Sequence, residues 1–130
     1  MRYVYLAAPY KRKEEAQLAR KFLRAVSPNI RVRASWLDHN YGEHTNPAIL
    51  RTEARNDLAD IDACDTLILL NFDGWESEGS GGKHFETGYA FGKGLLVIVV
   101  GQRSNVFHHL SSIYRVDSLA EAVELLDEKL

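Results

Sequence analysis

Cysteine is nearly absent from this chain of 130 residues. Cys64 stands alone, which excludes an intrachain disulfide and favours a reducing, cytosolic setting. Long hydrophobic runs are missing too: the longest, residues 95–100, falls far short of the roughly 20 apolar residues a membrane helix needs. The first residues enter Tyr3-Val4-Tyr5-Leu6 directly, without a basic segment and a cleavable apolar stretch, so a cytoplasmic protein with no membrane partner is expected. Charge of one sign is also lacking. Sixteen Lys and Arg against eighteen Asp and Glu leave a net charge of -2, which gives no electrostatic case for binding a nucleic-acid polymer. Nucleotide monomers stay open, because they need only a few placed donors. No repeat, linker or low-complexity segment divides the chain, and a single domain over residues 1–130 is expected.

Proline is scarce, and each of the three marks a boundary. Pro9 ends an apolar strand at residues 3–8. Ser27-Pro28-Asn29 stops a helix at residues 14–26, whose face carries Ala19, Phe22, Leu23 and Val26. Asn46-Pro47 opens a second helix with Asn as cap, and Leu50, Ala54, Leu58 and Ile61 form its apolar stripe. Val32, Ala34 and Trp36 alternate with polar residues and predict a half-exposed strand, followed by a polar loop at 38–45. Strands are predicted at 66–70, 95–100 and 113–116, with a short helix at 83–92 closed by Gly94. The last helix begins at a Ser118–Glu121 capping box and buries Leu119, Val123 and Leu126. Strands alternating with helices imply a parallel sheet of about five strands covered on both faces. In such sheets a ligand binds beyond the carboxyl ends of the strands, where strand order reverses.

That rule selects the candidate residues. Ala7-Ala8-Pro9-Tyr10-Lys11-Arg12 follows the first strand: small residues admit a ligand, Tyr10 offers a flat face, and Lys11 and Arg12 suit a phosphate. Two cations at a helix start are more often simply solvated. Trp36 reads equally as a pocket wall or a core residue. Glu78-Gly79-Ser80-Gly81-Gly82-Lys83-His84-Phe85-Glu86 carries a glycine loop into a helix, where Gly81 and Gly82 allow close approach and free amides bind oxygens. It fits neither the P-loop spacing nor the dinucleotide fingerprint. The helix start predicts an ionised Glu86 available as a nucleophile. On the residues alone, a glutamate that merely complements the helix dipole is the simpler account. Asp73 is a candidate for a sugar hydroxyl, and Phe72 and Trp75 for a pocket wall or a subunit interface. Asp62 and Asp65 precede a strand and fall at the wrong edge. Cys64 reads as a buried structural thiol. His39, His44, His84, His108 and His109 show no metal-ligand spacing; no metal and no cofactor are expected.

Two stretches, Tyr5-Leu6-Ala7-Ala8-Pro9-Tyr10 and Gly81-Gly82-Lys83-His84-Phe85-Glu86-Thr87-Gly88-Tyr89-Ala90, with Asn56-Asp57-Leu58 between them, resemble the nucleoside 2-deoxyribosyltransferase superfamily, which includes nucleotide N-glycoside hydrolases. The resemblance implies a flavodoxin-like, Rossmann-like three-layer α/β sandwich and cleavage of a nucleoside or nucleotide N-glycosidic bond. It implies Glu86 as nucleophile, Tyr5 as its hydrogen-bond partner, Tyr10 in the base pocket and Asp57 on the nucleobase. It further implies a homo-oligomer with shared active sites, in which Asn105 reaches a neighbour's sugar 5'-hydroxyl. Ser80 stands where transferases of the group often carry an aspartate and where nucleotide hydrolases tend to have a phosphate-binding serine. Ser80, Lys11 and Arg12 thus point to a nucleoside monophosphate, and Asn105 points to a nucleoside. The leading expectation is a transferase that passes the sugar to another base; the alternatives are a 5'-monophosphate N-glycosidase, a non-catalytic nucleotide-sensing module and a structural subunit.

Overall fold

The computed structural model describes residues 1–40 and 46–129. Five parallel strands, β1 (Arg2–Ala7), β2 (Ile30–Val32), β3 (Thr66–Asn71), β4 (Leu96–Gly101) and β5 (Ile113–Val116), stand in the order β2-β1-β3-β4-β5. The helices are α1 (Lys13–Val26), α2 (Pro47–Asp62), α3 (Gly82–Gly92) and α4 (Leu119–Lys129). α1 touches α4 and α2 touches α3, giving a helix layer on each side of the sheet. This is the flavodoxin-like sandwich expected, with its strand order reversing between β1 and β3. Every residue of β3 is buried, as are Val4–Ala7 of β1 and residues 97–101 of β4, as strands covered on both faces require. Among the described residues no helix is long and apolar enough to cross a membrane.

Four sequence expectations are corrected. β2 ends at Val32, and Trp36 lies in a 3-10 turn, Ser35–Asp38, rather than in a strand. Asp60 causes the turn: its carboxylate accepts from the Ser35 amide at 2.9 Å and the Ser35 hydroxyl at 2.6 Å. Trp36 then swings inward, and its indole N–H donates to the Leu6 carbonyl at 2.9 Å, a β1 edge that the short β2 leaves open. In α1 the inward stripe is Ala16, Ala19 and Leu23, while Phe22 and Val26 are rotated off it and exposed. In α2 the Asn46 side chain caps the Ala48 amide at 2.8 Å as expected, yet of the predicted stripe only Ile61 is fully buried. The last turns of α2 rest on the sheet and its first turns overhang the carboxyl edge, leaving Leu50 and Ala54 exposed. The polar loop predicted at 38–45 lies largely outside the described residues. At α4 the Glu121 amide donates to Ser118 Oγ, but the Glu121 carboxylate accepts from the Asp117 amide rather than from Ser118.

Gly101 closes β4 with φ +111°, and a Cβ there would stand 2.3 Å from the Asn71 carbonyl oxygen. Only glycine permits this close approach of β4 to the end of β3, where the Gln102 amide donates to the same oxygen at 2.8 Å.

Candidate active site

A cavity of about 460 Å³ opens at the carboxyl ends of β1 and β3, the switch point of the sheet. The segment after β1 contributes Ala8, Pro9, Tyr10 and Lys11; Trp36, Leu50 and Asp57 come from the turn after β2 and from α2. The glycine loop contributes Glu78, Gly79, Ser80 and Gly81, and α3 adds Gly82, Lys83 and Glu86. Gly81 caps α3 in the left-handed region at φ +95°, a turn that lets the loop bend straight into the helix.

Glu86 sits on the second turn of α3, facing the sheet. The hydroxyl of Tyr5, fully buried on β1, donates to Glu86 Oε2 at 2.6 Å. Asp57, reaching across from α2, hydrogen-bonds the same carboxyl. Burial pushes the Glu86 carboxyl up, the Tyr5 bond partly opposes this, and the Asp57 charge adds to it, with the result at about 8. This overturns the expectation of an ionised Glu86. The helix field fades within the first turn, and Glu86 lies beyond it, so removal from water dominates. At neutral pH the two adjacent carboxyls hold a proton between them, because two like charges in contact cannot both form readily.

Tyr10 and Trp36 form an aromatic wall, their ring centroids 6.2 Å apart, and the Tyr10 hydroxyl donates to Asn40 Oδ1 at 3.3 Å. Trp36 is thus both core and wall, the two readings its sequence position left open. Of the residues singled out from the sequence, Tyr10, Lys11, Trp36, Asp57, Ser80, Gly81, Gly82 and Glu86 line the cavity, and Tyr5 stands directly behind Glu86. Two are elsewhere. Asp73 is exposed at the tip of a turn closed by the Trp75 amide on the Phe72 carbonyl, outside the cavity lining. Asn105 lies across α3, where its side chain accepts from the Phe107 amide at 2.9 Å and borders a second, apolar cavity of about 730 Å³ with His84, Phe85, Phe91, Phe107 and His108. Phe72 and Trp75 pack edge to face at 5.0 Å, with the Arg12 guanidinium over the Trp75 ring.

Three lining residues went unread in the sequence: Leu50, Glu78 and Lys83. Lys83 is almost fully buried, its ammonium donates to the Trp75 carbonyl, and burial holds its pKa below the usual lysine range. Glu78 accepts from Arg12 Nε at 2.8 Å and Arg12 Nη2 at 2.9 Å, with Lys11 Nζ 3.2 Å away. These cations hold the Glu78 carboxyl below the ordinary range. The signal available was sign complementarity between Lys11-Arg12 and Glu78, but nothing local pairs residues 66 positions apart.

At the opposite edge, Asp65 accepts from the Tyr3 amide and pairs with Arg2, and Asp62 accepts from the Tyr89 hydroxyl at 2.8 Å, as structural carboxylates do. Cys64 is half-buried, and burial beside Asp60 and Asp65 pushes its thiol up to about 12, which removes it as a nucleophile. His108 Nδ1 accepts from the Ser104 amide at 3.0 Å, and burial draws its pKa down to about 4, while His109 is exposed. Among the described residues no three His, Cys, Asp or Glu side chains converge as a metal site, and His44 falls outside them.

No protein-family model matches the sequence, and no curated protein matches it. Solved structures do match. A CMP N-glycosidase from Clostridium botulinum is 20% identical over 97% of this chain and 98% of its own, with a TM-score of 0.60. A conserved protein from Enterococcus faecalis is 16% identical over 100% and 99%, with a TM-score of 0.70. The chain has their fold. A 2-deoxyribosyltransferase from Leishmania mexicana shares it too, at 20% identity over 92% of this chain and 77% of that one, with a TM-score of 0.56. The fold implied by the two resembling motifs is therefore the one found, and those motifs meet at the cavity on the carboxyl edge of its sheet.

Proposed function

We propose that this chain is a member of the nucleoside 2-deoxyribosyltransferase superfamily that cleaves the N-glycosidic bond of a (deoxy)nucleoside and passes the sugar to another base. One observation carries the reading: a buried tyrosine hydroxyl grips a half-buried glutamate at 2.6 Å, beside an aspartate, in a cavity at the sheet's switch point. Glycosidic cleavage develops positive charge on the sugar, and a carboxylate under the anomeric carbon traps that charge as an ester. Glu86 attacks C1', the C1'–N bond breaks, and its electron pair goes to the base nitrogen. That nitrogen takes the proton held between Asp57 and Glu86, so that Glu86 acts as the anion. An incoming base attacks the ester, forms the new C1'–N bond, and returns its own proton to Asp57. Tyr5 holds Glu86 in line throughout without carrying charge.

A second reading, a 5'-monophosphate N-glycosidase, draws support from Ser80, Gly81 and Gly82 at the start of α3 within the cavity, and from the similarity to a CMP N-glycosidase along nearly the whole of both chains. Incubation of a deoxynucleoside or its 5'-monophosphate, with and without a second free base, distinguishes the two: sugar transferred to the added base supports transfer, and free sugar phosphate released from the monophosphate supports hydrolysis. Glu86→Ala is expected to abolish base release while keeping the fold. Substantial retained turnover removes the nucleophile from the reading, and ligand binding without turnover in the wild type favours a sensing module.

The oligomer belongs to the same proposal. Phe85, Phe107, Phe91 and Leu110 are exposed around the second cavity, beside Asn105, and burying them against another copy brings Asn105 toward a neighbour's site. A fully active monomer in sedimentation counts against it.

A further inference from the structure

The cavity that holds Glu86 carries its own anion. Glu78, with only 13% of its side chain exposed, lines this cavity and clamps Arg12 through both carboxylate oxygens while also pairing with Lys11. It also lies close enough to Lys83 to stabilise that buried ammonium. Lys11, Arg12 and Lys83 at this end of the site therefore share Glu78 as a counter-charge, Arg12 pairing with Glu15 as well. A substrate phosphate seeks those same groups, and it must either displace Glu78 or lie beside it as a second anion.

We propose that Glu78 is a specificity-determining residue that turns 5'-phosphorylated nucleosides away and keeps the site for uncharged nucleosides. The inference rests on the reading of Glu86 as the sugar-binding nucleophile and names the substrate class that site takes. Rejection by a fixed like charge is a repulsive device: it lowers affinity for the wrong ligand without adding contacts to the right one. The alternative role for Glu78 is a strut joining the turn after β1 to the glycine loop. A strut affects both substrates alike, and a charge filter affects their ratio.

The test compares kcat/KM for a deoxynucleoside and its 5'-monophosphate, in the wild type, Glu78→Gln and Glu78→Asp. The amide retains hydrogen-bonding capacity toward Arg12 but removes the charge. The wild type favours the nucleoside, Glu78→Gln shifts the ratio toward the monophosphate by about tenfold or more, and Glu78→Asp keeps the wild-type ratio. A ratio unmoved in Glu78→Gln, or a wild type that prefers the monophosphate, overturns the inference. Should Glu78→Gln fail to fold, the wild type decides alone: nucleoside turnover unaffected by inorganic phosphate at constant ionic strength supports the filter, and competitive inhibition refutes it. Failure of the wild type to release base from either substrate sinks the reading of the Glu86 site itself, whereas turnover with an unmoved ratio sinks only the role of Glu78.

Discussion

Glu86→Gln isolates what the fold gives up to hold a carboxyl against Tyr5 and Asp57. The amide reproduces the protonated acid: its oxygen accepts from Tyr5 and its N–H donates to Asp57. It differs in having no proton to lose. In the wild type the carboxyl titrates at about 8 in the fold, against an ordinary value of 4.5. Ionising Glu86 in place is therefore disfavoured by about 5 kcal/mol, at about 1.4 kcal/mol per tenfold change in proton affinity. Between those two pH values the folded state holds more protons than the unfolded one, so wild-type stability falls as pH rises. The proton-linked stability is fully present below pH 4.5 and is lost by the time pH passes about 8. Glu86→Gln lacks this loss. Relative to wild type, the variant gains about 1.4 kcal/mol per pH step through that window and levels off above it, a gain of about 3 kcal/mol by neutral pH. Urea unfolding of both proteins from about pH 5 to about pH 9 measures the difference. A difference that stays flat with pH, or one that favours the wild type as pH rises, refutes the burial argument for Glu86.

The same titration governs the rate. Base release by the wild type is expected to fall as pH passes about 8, where the unliganded site loses the proton it hands to the departing base. Tyr5→Phe removes a hydrogen bond to the anion worth about 1.5–3 kcal/mol, which moves the inflection up by about one to two pH units and lowers the rate at pH 7 by about 10- to 100-fold. A pH–rate profile checks it, and an inflection that stays in place contradicts the role given to Tyr5. Away from the site, Gly101→Ala sets a methyl 2.3 Å from the Asn71 carbonyl oxygen at a backbone angle alanine tolerates poorly. It is expected to destabilise by about 3 kcal/mol or more, read from the urea midpoint, and a change under about 0.5 kcal/mol shows that β4 can retreat from β3.

What was legible in the sequence and what was not follow a physical division. β3 and β4 announce themselves as short apolar runs, because strands covered on both faces need no alternation. Tyr10 was legible because small residues at a strand end leave room for a ligand, and the topology rule says which ends matter; Glu86 stood out only through the resemblance, since on the residues alone a dipole-complementing glutamate was the simpler account. Trp36 was misread because Asp60, 25 residues away, captures Ser35 and ends the strand early. Leu50 and Ala54 repeat with the helix period, yet the sheet ends before it reaches them, and periodicity records which face is apolar but not how far the neighbouring layer extends. The Glu78 clamp joins two loops across 66 residues, beyond any local pattern.

The charge of Glu86 illustrates the deeper limit. Position along a helix predicts an anion, and depth in the fold predicts an acid; only coordinates rank the two. The ranking also orders the chemistry. An ionised Glu86 would be equally nucleophilic with or without a substrate beside it. A proton shared with Asp57 keeps it masked. In the chemistry proposed for this site, a bound nucleobase supplies the missing acceptor: as its ring nitrogen takes the proton, Glu86 becomes anionic at the moment C1' becomes electron-poor. The nucleophile is then strongest in the transition state and weakest beforehand, which is the difference in binding that catalysis requires. On this argument the raised proton affinity of Glu86 belongs to the mechanism, and the stability it removes at neutral pH is the counterpart of a site that activates only when a base is there to leave.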